Sequence, residues 1–429
     1  MIESREEHKA GRRRLLDNIA SLYLLQGLNY VIPMAVLPYL VRVLGMEVYG
    51  LVAFSQAFAQ YFTILTDYGF NLSATRFVAQ HRSDQSAVRQ MFWQVLILKA
   101  ALMILGLVLL LVIVATIPRF QHDGAYLSVA FIAVVGNVIF PQWYFQGIEK
   151  MRYISICTGI ARIISAALLF VFVHGPGDGL LALIIQSGGT LIAGFMGIIS
   201  AFHVIGLQVE FPTLASLRKT VYAGWHLFIS TAAVSLYSNT NMFLVGLLAG
   251  NVEAGYFSAA EKLIRAMSGL IGPITQAIFP HINSLAHRSR EVALRLISKS
   301  LCWMVAVTLV SSLGMLALAK PIAILCFGVA AFGSVPIIRW IAPLPLLIAI
   351  SNVLGIQTML TFGLDRQFSR ILLASGILNV VIGVPLIHFF AAQGAGAAVL
   401  ITEMTVAVTM IVVLQKHGIH VLFPRSIAL

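Results

Sequence analysis

The sequence predicts an all-α integral membrane protein of about twelve transmembrane helices in two six-helix lobes, and three observations predict it. Hydrophobic residues make up 59% of the 429 and charged residues only 10%, well short of the roughly one quarter charged in a soluble domain. Apolar runs of about 20 residues, the length that crosses a bilayer core, recur along the chain. The lysines and arginines fall mostly in short connectors on one side of those runs.

The runs place helices near 17–41, 50–72, 91–117, 125–147, 153–174 and 180–203, then near 221–249, 254–280, 299–319, 336–362, 369–391 and 394–415. Arg12, Arg13 and Arg14 resemble a signal n-region, but the run after them is too long and lacks a small-residue cleavage site, so it reads as a retained first helix. With an even number of spans both termini share a side. That side carries about twenty Lys and Arg in its connectors, among them Arg76, Arg82, Lys150, Arg218 and Arg366, whereas the other has Arg42, Arg119 and Lys320. The richer side is then cytoplasmic. The net charge of +12 is scattered through these connectors and forms no stripe for a nucleic acid. Cys157, Cys302 and Cys326 cannot make a disulfide framework and are expected as buried small hydrophobes.

A shift of 205 positions lays Gly45 on Gly250, Gly50 on Gly255, Gln56 on Glu261 and Gln60 on Arg265, and one further position lays His81, Arg82 and Ser83 on His287, Arg288 and Ser289. The halves therefore read as parallel repeats about a pseudo-two-fold axis along the membrane normal. The expected parts are a cytoplasmic segment 1–16, a first lobe 17–205, a linker 206–220, a second lobe 221–415 and a cytoplasmic tail 416–429. Two such lobes enclose a cleft that rocks open to either side, the geometry of a transporter.

Five cations fall inside predicted spans: Lys99, Arg162, Lys262, Arg265 and Arg339. A charge at bilayer depth costs roughly 3 kcal/mol on insertion scales, so it faces protein or water and marks a pathway. Arg162 sits about ten residues into the fifth helix, roughly 15 Å and near the midplane, too deep to snorkel easily. In the eighth helix the (i, i+4) spacing puts Glu261 and Arg265 on one face and turns Lys262 about 100° away. Two readings stay open there, a structural pair or a pair that orients Arg265 while Lys262 meets a ligand. Lys99 and Arg339 lie nearer helix ends and either snorkel or bind substrate. Asp67 can pair with Arg76, cap a helix or take part in coupling to H+ or Na+, and Glu403 in the last helix is equally open.

Neutral polar residues gather in four spans: Gln26, Asn29 and Tyr30; Asn137, Gln142 and Trp143; Ser238, Asn239, Thr240 and Asn241; Asn352, Gln357 and Thr358. They serve either as interhelical glue or as contacts for a hydroxyl-rich ligand. Pro33, Pro38, Pro273, Pro343 and Pro345 imply kinks that free backbone carbonyls.

The pattern G-x-x-x-x-G-K-[ST] is absent, which excludes ATP hydrolysis, and His174–Gly179 is a tight outer connector. H-E-x-x-H, paired-Cys metal sites and G-x-S-x-G are absent too, so neither cofactor nor metal is expected. A membrane glycosyl-polymerase would need a long external loop carrying Arg and His. The longest outer connector here is 320–335.

The stretches Asn29–Gly45 (NYVIPMAVLPYLVRVLG), Thr66–Arg76 (TDYGFNLSATR), Phe140–Lys150 (FPQWYFQGIEK) and Ala254–Arg265 (AGYFSAAEKLIR) resemble Wzx-type flippases. These form the polysaccharide transporter branch of the MOP superfamily, which also holds multidrug (MATE) exporters and the peptidoglycan-precursor flippase. The resemblance implies a MATE-like fold in the bacterial inner membrane and the flipping of an undecaprenyl-pyrophosphate-linked oligosaccharide, the O-antigen repeat unit, to the periplasmic leaflet. A polysaccharide polymerase and chain-length machinery would be its partners. The expected ligand contacts are Arg162, Lys262, Arg265, Arg339 and Lys99 for the pyrophosphate and Asn29, Asn239, Asn241 and Asn352 for the sugars, the lipid tail staying in the bilayer. Asp67, Glu261, Arg76 and Glu403 would be coupling or structural charges. A multidrug antiporter is the alternative, and five intramembrane cations against three carboxylates speak against a cleft for cationic drugs.

The charge asymmetry predicts sidedness. Cysteines placed at Ser83 and Ser289 are expected to react with a membrane-impermeant thiol reagent only from the cytoplasm, and one at Asp178 only from the periplasm. Reversal at any of the three would overturn the topology.

Overall fold

The computed structural model describes residues 2–206, 210, 212–269, 275, 278, 282–283, 285–286, 289–419 and 421, with side chains from Val31 onward except at 226, 230–231, 233–238 and 330. Among the described residues there is no strand. The helices are α1 (Ile2–Asp67), α2 (Phe70–Gln80), α3 (Gln85–Thr116), α4 (Pro118–His122), α5 (Gly124–Ile139), α6 (Gln142–Gly147), α7 (Met151–Phe172) and α8 (Gly179–Ile205) in the first half of the chain. The second half holds α9 (Leu214–Ala249), α10 (Asn251–Gly269), α11 (Arg290–Phe327), α12 (Ser334–Ile341), α13 (Leu344–Asn352), a π-helix (Val353–Leu360) and α14 (Asp365–Lys416). Eight helices among the described residues are long and apolar enough to cross a membrane.

Two of them are longer than any single crossing. The 52 residues of α14 would run roughly 78 Å unbroken, more than twice a core of about 30 Å. Each long helix breaks at one residue: α1 at Gly45 (φ 74°, ψ 168°) and α14 at Ala391 (φ 50°, ψ −135°). The break in α14 frees the Ala392 N–H, which donates to the Glu253 carboxylate at 3.2 Å. Where the sequence suggests connectors at 42–49 and 392–393, the chain turns at a single residue and the flanking helices abut. A one-residue turn leaves no polar run to read.

Other ends follow ordinary rules. Asp84 caps α3 by accepting from Ala87 N at 3.0 Å, and Pro118 holds Ile117 extended and ends it. Pro343 and Pro345 separate α13 from α12, while Pro33 and Pro38 lie within α1. Phe140 and Pro141 split the expected 125–147 span into α5 and α6.

Helices immersed in lipid gain little from burying apolar surface against one another, so close packing relies on small residues. Gly136 of α5 lies where a Cβ would come within 2.5 Å of the Thr190 carbonyl carbon on α8, and Gly194 answers from α8 against Gly136 O at 2.5 Å. Gly189 makes a similar approach to Ser165 of α7. Large apolar side chains such as Leu111, Val112, Phe389 and Phe390 face outward.

Gly250, 205 positions after Gly45, turns between α9 and α10 with φ 93° and ψ 176°, the same glycine-only region of backbone space. Beyond the two turns the second segment of α1 lies on α10. A Cβ on Gly50 would stand 1.8 Å from Asn251 O, and one on Gly255 2.2 Å from Met46 O. The contact is reciprocal, since 251 and 255 correspond to 46 and 50 under the same shift. An apolar layer surrounds it, joining Phe54, Phe58 and Phe62 to Met242, Val245 and Phe257 of the second half. Pro273, His287 and Arg288 lie outside the described residues. Cys157 is buried, but Cys302 is exposed and Cys326 half-buried, so only one of the three sits in the interior; Cys302 lies on an α11 face that also exposes Trp303.

A side chain at Gly50 or Gly255 must push two backbones apart. Gly50→Val and Gly255→Val are expected to destabilise the detergent-purified protein by about 3 kcal/mol and to cut its membrane abundance. Gly159→Ala, where nothing lies within 4 Å, should leave both unchanged. Wild-type melting by Gly255→Val would refute this joint.

Candidate functional site

The candidate site is a cavity of about 470 Å³ in the first half of the molecule, bounded by α1, α5, α6, α7 and α8. Gln56, Gln60 and Thr63 enter it from α1, Asn137 from α5 and Gln142 from α6. Thr158, Arg162 and Ser165 enter from α7, and Gln186 and Thr190 from α8. Among these lining residues Arg162 is the one charged group. Gln56 Nε2 donates to Gln186 Oε1 at 3.0 Å, which ties α1 to α8 across the cavity. The glycines explain the depth of polar lining: Gly136 beside Asn137 and Gly189 beside Thr190 draw α5, α7 and α8 close enough to converge.

One wall carries a buried ion pair. Lys99 Nζ lies 2.9 Å from Asp67 Oδ1, with the side chains 3% and 19% exposed. It also donates to Asn137 O at 3.2 Å and Asn137 Oδ1 at 3.3 Å, so its three N–H donors have three acceptors. The sequence places Lys99 near a helix end. In the structure α3 starts at Gln85, which sets Lys99 roughly 21 Å along the helix, with its side chain inside the protein. Asp67 accordingly pairs with Lys99 and not with Arg76, which is exposed on α2 beyond the turn at Gly69.

The cations of α10 lie apart from this cavity. Arg265 Nη2 meets Glu261 Oε1 at 2.8 Å and its Nε donates to the same oxygen at 3.1 Å, with 54% and 24% of the side chains exposed. Lys262 is exposed and stands over the Tyr49 ring at 5.3 Å, while the Tyr49 hydroxyl shares a hydrogen bond with Ser258 at 3.2 Å. One end of the molecule carries cross-half contacts: Arg42 donates to the Leu325 carbonyl, and Arg119 to those of Gly246 and Leu247. Towards the opposite end Tyr68 stacks on Phe228 at 4.8 Å, and Thr220 donates to Gln94 at 2.7 Å.

Comparison with known proteins gives this geometry its relatives. Residues 15–286 match the family described as polysaccharide biosynthesis protein. A relative from Escherichia coli (strain K12), named for O-antigen transport, is 35% identical over 95% of this chain and 98% of its own length. One from Shigella dysenteriae with the same name is 29% identical over 92% of this chain and 98% of its own. The chain belongs to the polysaccharide biosynthesis protein family. Among solved structures, a multidrug resistance MATE family transporter of the MOP superfamily in its inward-facing conformation superposes with a TM-score of 0.67 at 13% identity, covering 92% of this chain and 96% of that one. The lipid II flippase MurJ in an inward closed conformation gives 0.64 at 13%, covering 94% and 87%. The fold of this family member is MATE-like.

Within this family member the remaining predicted contacts are dispersed. Arg339 is exposed in a shallow depression with Pro336, Trp340, Pro343 and Leu400. Asn241 is buried with Oδ1 unpartnered near Gly383 of α14; Asn239 and Glu403 are half-buried. Asn352, whose buried Oδ1 lacks a partner, ends α13 at the π-helix. Asn29 lies outside the residues whose side chains are described, as do Gln26, Tyr30 and Ser238. The segment Phe140–Lys150 is largely packing: Trp143, Tyr144 and Phe145 are buried against Phe92. Arg82 closes it by donating to Gly147 O at 2.8 Å and pairing with Glu149 at 2.7 Å. The hydrogen bond from Arg82 holds the Glu149 carboxyl below its ordinary range.

Several lining residues escape a search for charges. Thr158, Arg162 and Ser165 at i, i+4 and i+7, and Gln186 with Thr190 at i and i+4, form polar stripes on apolar helices, and that periodicity is the signal that finds them. The exposure of the Glu261–Arg265 pair limits its structural worth to about 1 kcal/mol. Glu261→Gln is therefore expected to melt within about 1 kcal/mol of wild type. A large loss that Glu261→Gln with Arg265→Gln repairs would show a buried pair instead.

Proposed function

We propose that this protein is a flippase that moves an undecaprenyl-pyrophosphate-linked oligosaccharide, the O-antigen repeat unit, from the cytoplasmic to the periplasmic leaflet of the bacterial inner membrane. The observation that carries the reading is the cavity itself, whose described lining residues set a single guanidinium among neutral amides and hydroxyls within the membrane-spanning helices. A phosphate calls for a charge-assisted donor, and sugars call for neutral donors and acceptors. The names of the two relatives support the polysaccharide, and the flippase neighbour supports a lipid carrier. In this reading twelve spans divide into lobes 17–205 and 221–415 with both termini cytoplasmic. The substrate enters from the inner side while Arg42 and Arg119 hold the outer end shut, and alternating access follows when those contacts part. Lys262 and Arg265 supply further cationic contacts, Glu403 is the carboxylate open to H+ or Na+ coupling while Asp67 serves as the counter-charge of Lys99, and a polymerase with its chain-length machinery receives the product. Multidrug export, the activity of one structural neighbour, fits less well, because among the described residues that line the cavity there is no carboxylate to attract a cationic drug.

Arg162→Ala is expected to abolish surface polymer in a strain lacking the native gene while the protein accumulates normally, and Arg162→Lys to retain part of it. Normal export from Arg162→Ala at wild-type abundance would remove Arg162, and with it this reading of the cavity.

A further inference from the structure

The buried pair beside the cavity looks structural, yet Lys99 bonds the side chain of a cavity residue. We infer that Lys99 is a positioning residue: paired with Asp67, it fixes the Asn137 amide with its oxygen held in the protein and its NH2 edge toward the cavity, adding a neutral donor to the guanidinium of Arg162. The inference rests on the flippase reading and deepens it, since donors on two helices suit the oxygen-rich anionic group of the carrier, its pyrophosphate.

The argument starts from hydrogen-bond inventory. An ammonium has donors and no acceptor, so the Asn137 atom 3.3 Å from Lys99 Nζ must be the carbonyl oxygen. Both amide orientations fill the same space, and in a neutral surrounding the group could turn over. Lys99 removes that freedom twice, because it also holds the Asn137 backbone carbonyl at 3.2 Å. Asp67 at 2.9 Å supplies the counter-charge that lets an ammonium remain at this depth. Gly136, pressed on α8, fixes the backbone that carries Asn137. With its oxygen engaged by Lys99, Asn137 turns its N–H groups to an incoming ligand, and among the described residues that line the cavity there is no carboxylate to compete for them.

A double-mutant cycle separates positioning from mere stability. Asn137→Ala is expected to lower export per molecule about ten-fold, the size of one charge-assisted hydrogen bond. The charge-neutral combination Lys99→Met with Asp67→Asn should accumulate better than Lys99→Met alone and still export several-fold less than wild type. In the Asn137→Ala background that combination should cost nothing further, because no amide remains to be oriented. Full export by the combination, or an equal additional loss in that background, would overturn the inference. Asn137→Asp gives a second test that leaves the pair in place, since one carboxylate oxygen still accepts from Lys99 while the other replaces the donor. Normal abundance with export below that of Asn137→Ala is expected, and normal export refutes the proposal even if the Lys99 variants fail to accumulate. Arg162→Ala in the same strain keeps the two readings apart: if it fails while the Asn137 and Lys99 variants export normally, the flippase reading stands and the positioning role falls.

Discussion

The contact on which the rest of this structure depends is the mutual approach of the second segment of α1 and α10, where Gly50 meets Asn251 and Gly255 meets Met46. Between helices in lipid there is no water to expel, so two apolar surfaces gain little by meeting unless their backbones come close. A glycine on each helix, each opposed to a backbone carbonyl of the other, permits that closeness. Because corresponding residues make the two halves of the contact, it is self-complementary in the manner of a two-fold interface. The aromatic layer follows from it: Phe54 stacks on Phe243 of the other half at 5.7 Å, and Phe58 on Phe243 at 5.9 Å. Those rings fill the space beside the glycine joint and leave the polar residues of α1 facing away from it, toward the cavity.

The membrane also decides where each charge goes, and the structure disposes of its cations in distinct ways. Lys99 is buried and fully paired, Arg265 is paired but exposed, and Arg162 lines the cavity. Arg42, Arg119 and Lys320, the basic residues of the sparsely charged set of connectors, all have local uses. Arg42 and Arg119 donate to carbonyls in the last turns of α11 and α9, where helix carbonyls lack partners and the dipole is negative. Lys320 stands over the Phe332 ring at 5.4 Å. Arg42 and Arg119 thus tie helix ends together, and both tie the first half to the second.

The helical fold was legible because hydropathy over about 20 residues is a strong signal, and the repeat was legible at Gly45, Gly50, Gly250 and Gly255 because only glycine meets the backbone demands there. What escaped was what depends on direction around a helix axis. Hydropathy ignores rotation, so Arg162 stood out by its charge while Gln186, Thr190 and Thr158, equal partners in the cavity wall, did not. Depth failed for the same kind of reason. Lys99 reads as peripheral from hydropathy because the start of α3 from Gln85 is polar and resembles a connector, and a shift of six residues moves a side chain roughly 9 Å along the helix axis. Asn241 and Asn352 carry side-chain oxygens that are buried without a partner, a state that composition alone does not reveal.

The halves agree where the backbone is constrained and differ where a ligand would be met. Under the shift of 205, Gln56 and Gln60 of the cavity correspond to Glu261 and Arg265. One scaffold therefore presents two amides on α1 and an ion pair on α10. An amide bonds a hydroxyl as donor or acceptor with no desolvation of charge, whereas an ion pair with half its guanidinium exposed already holds its own counter-ion. To bind a ligand anion, Arg265 must share a guanidinium that Glu261 occupies through both Nε and Nη2, while the described residues that line the cavity with Arg162 include no carboxylate. Electrostatics thus puts the stronger attraction for an anion in the first half, where neutral donors and acceptors also cluster. A molecule with one anionic junction and many hydroxyls would engage that half first.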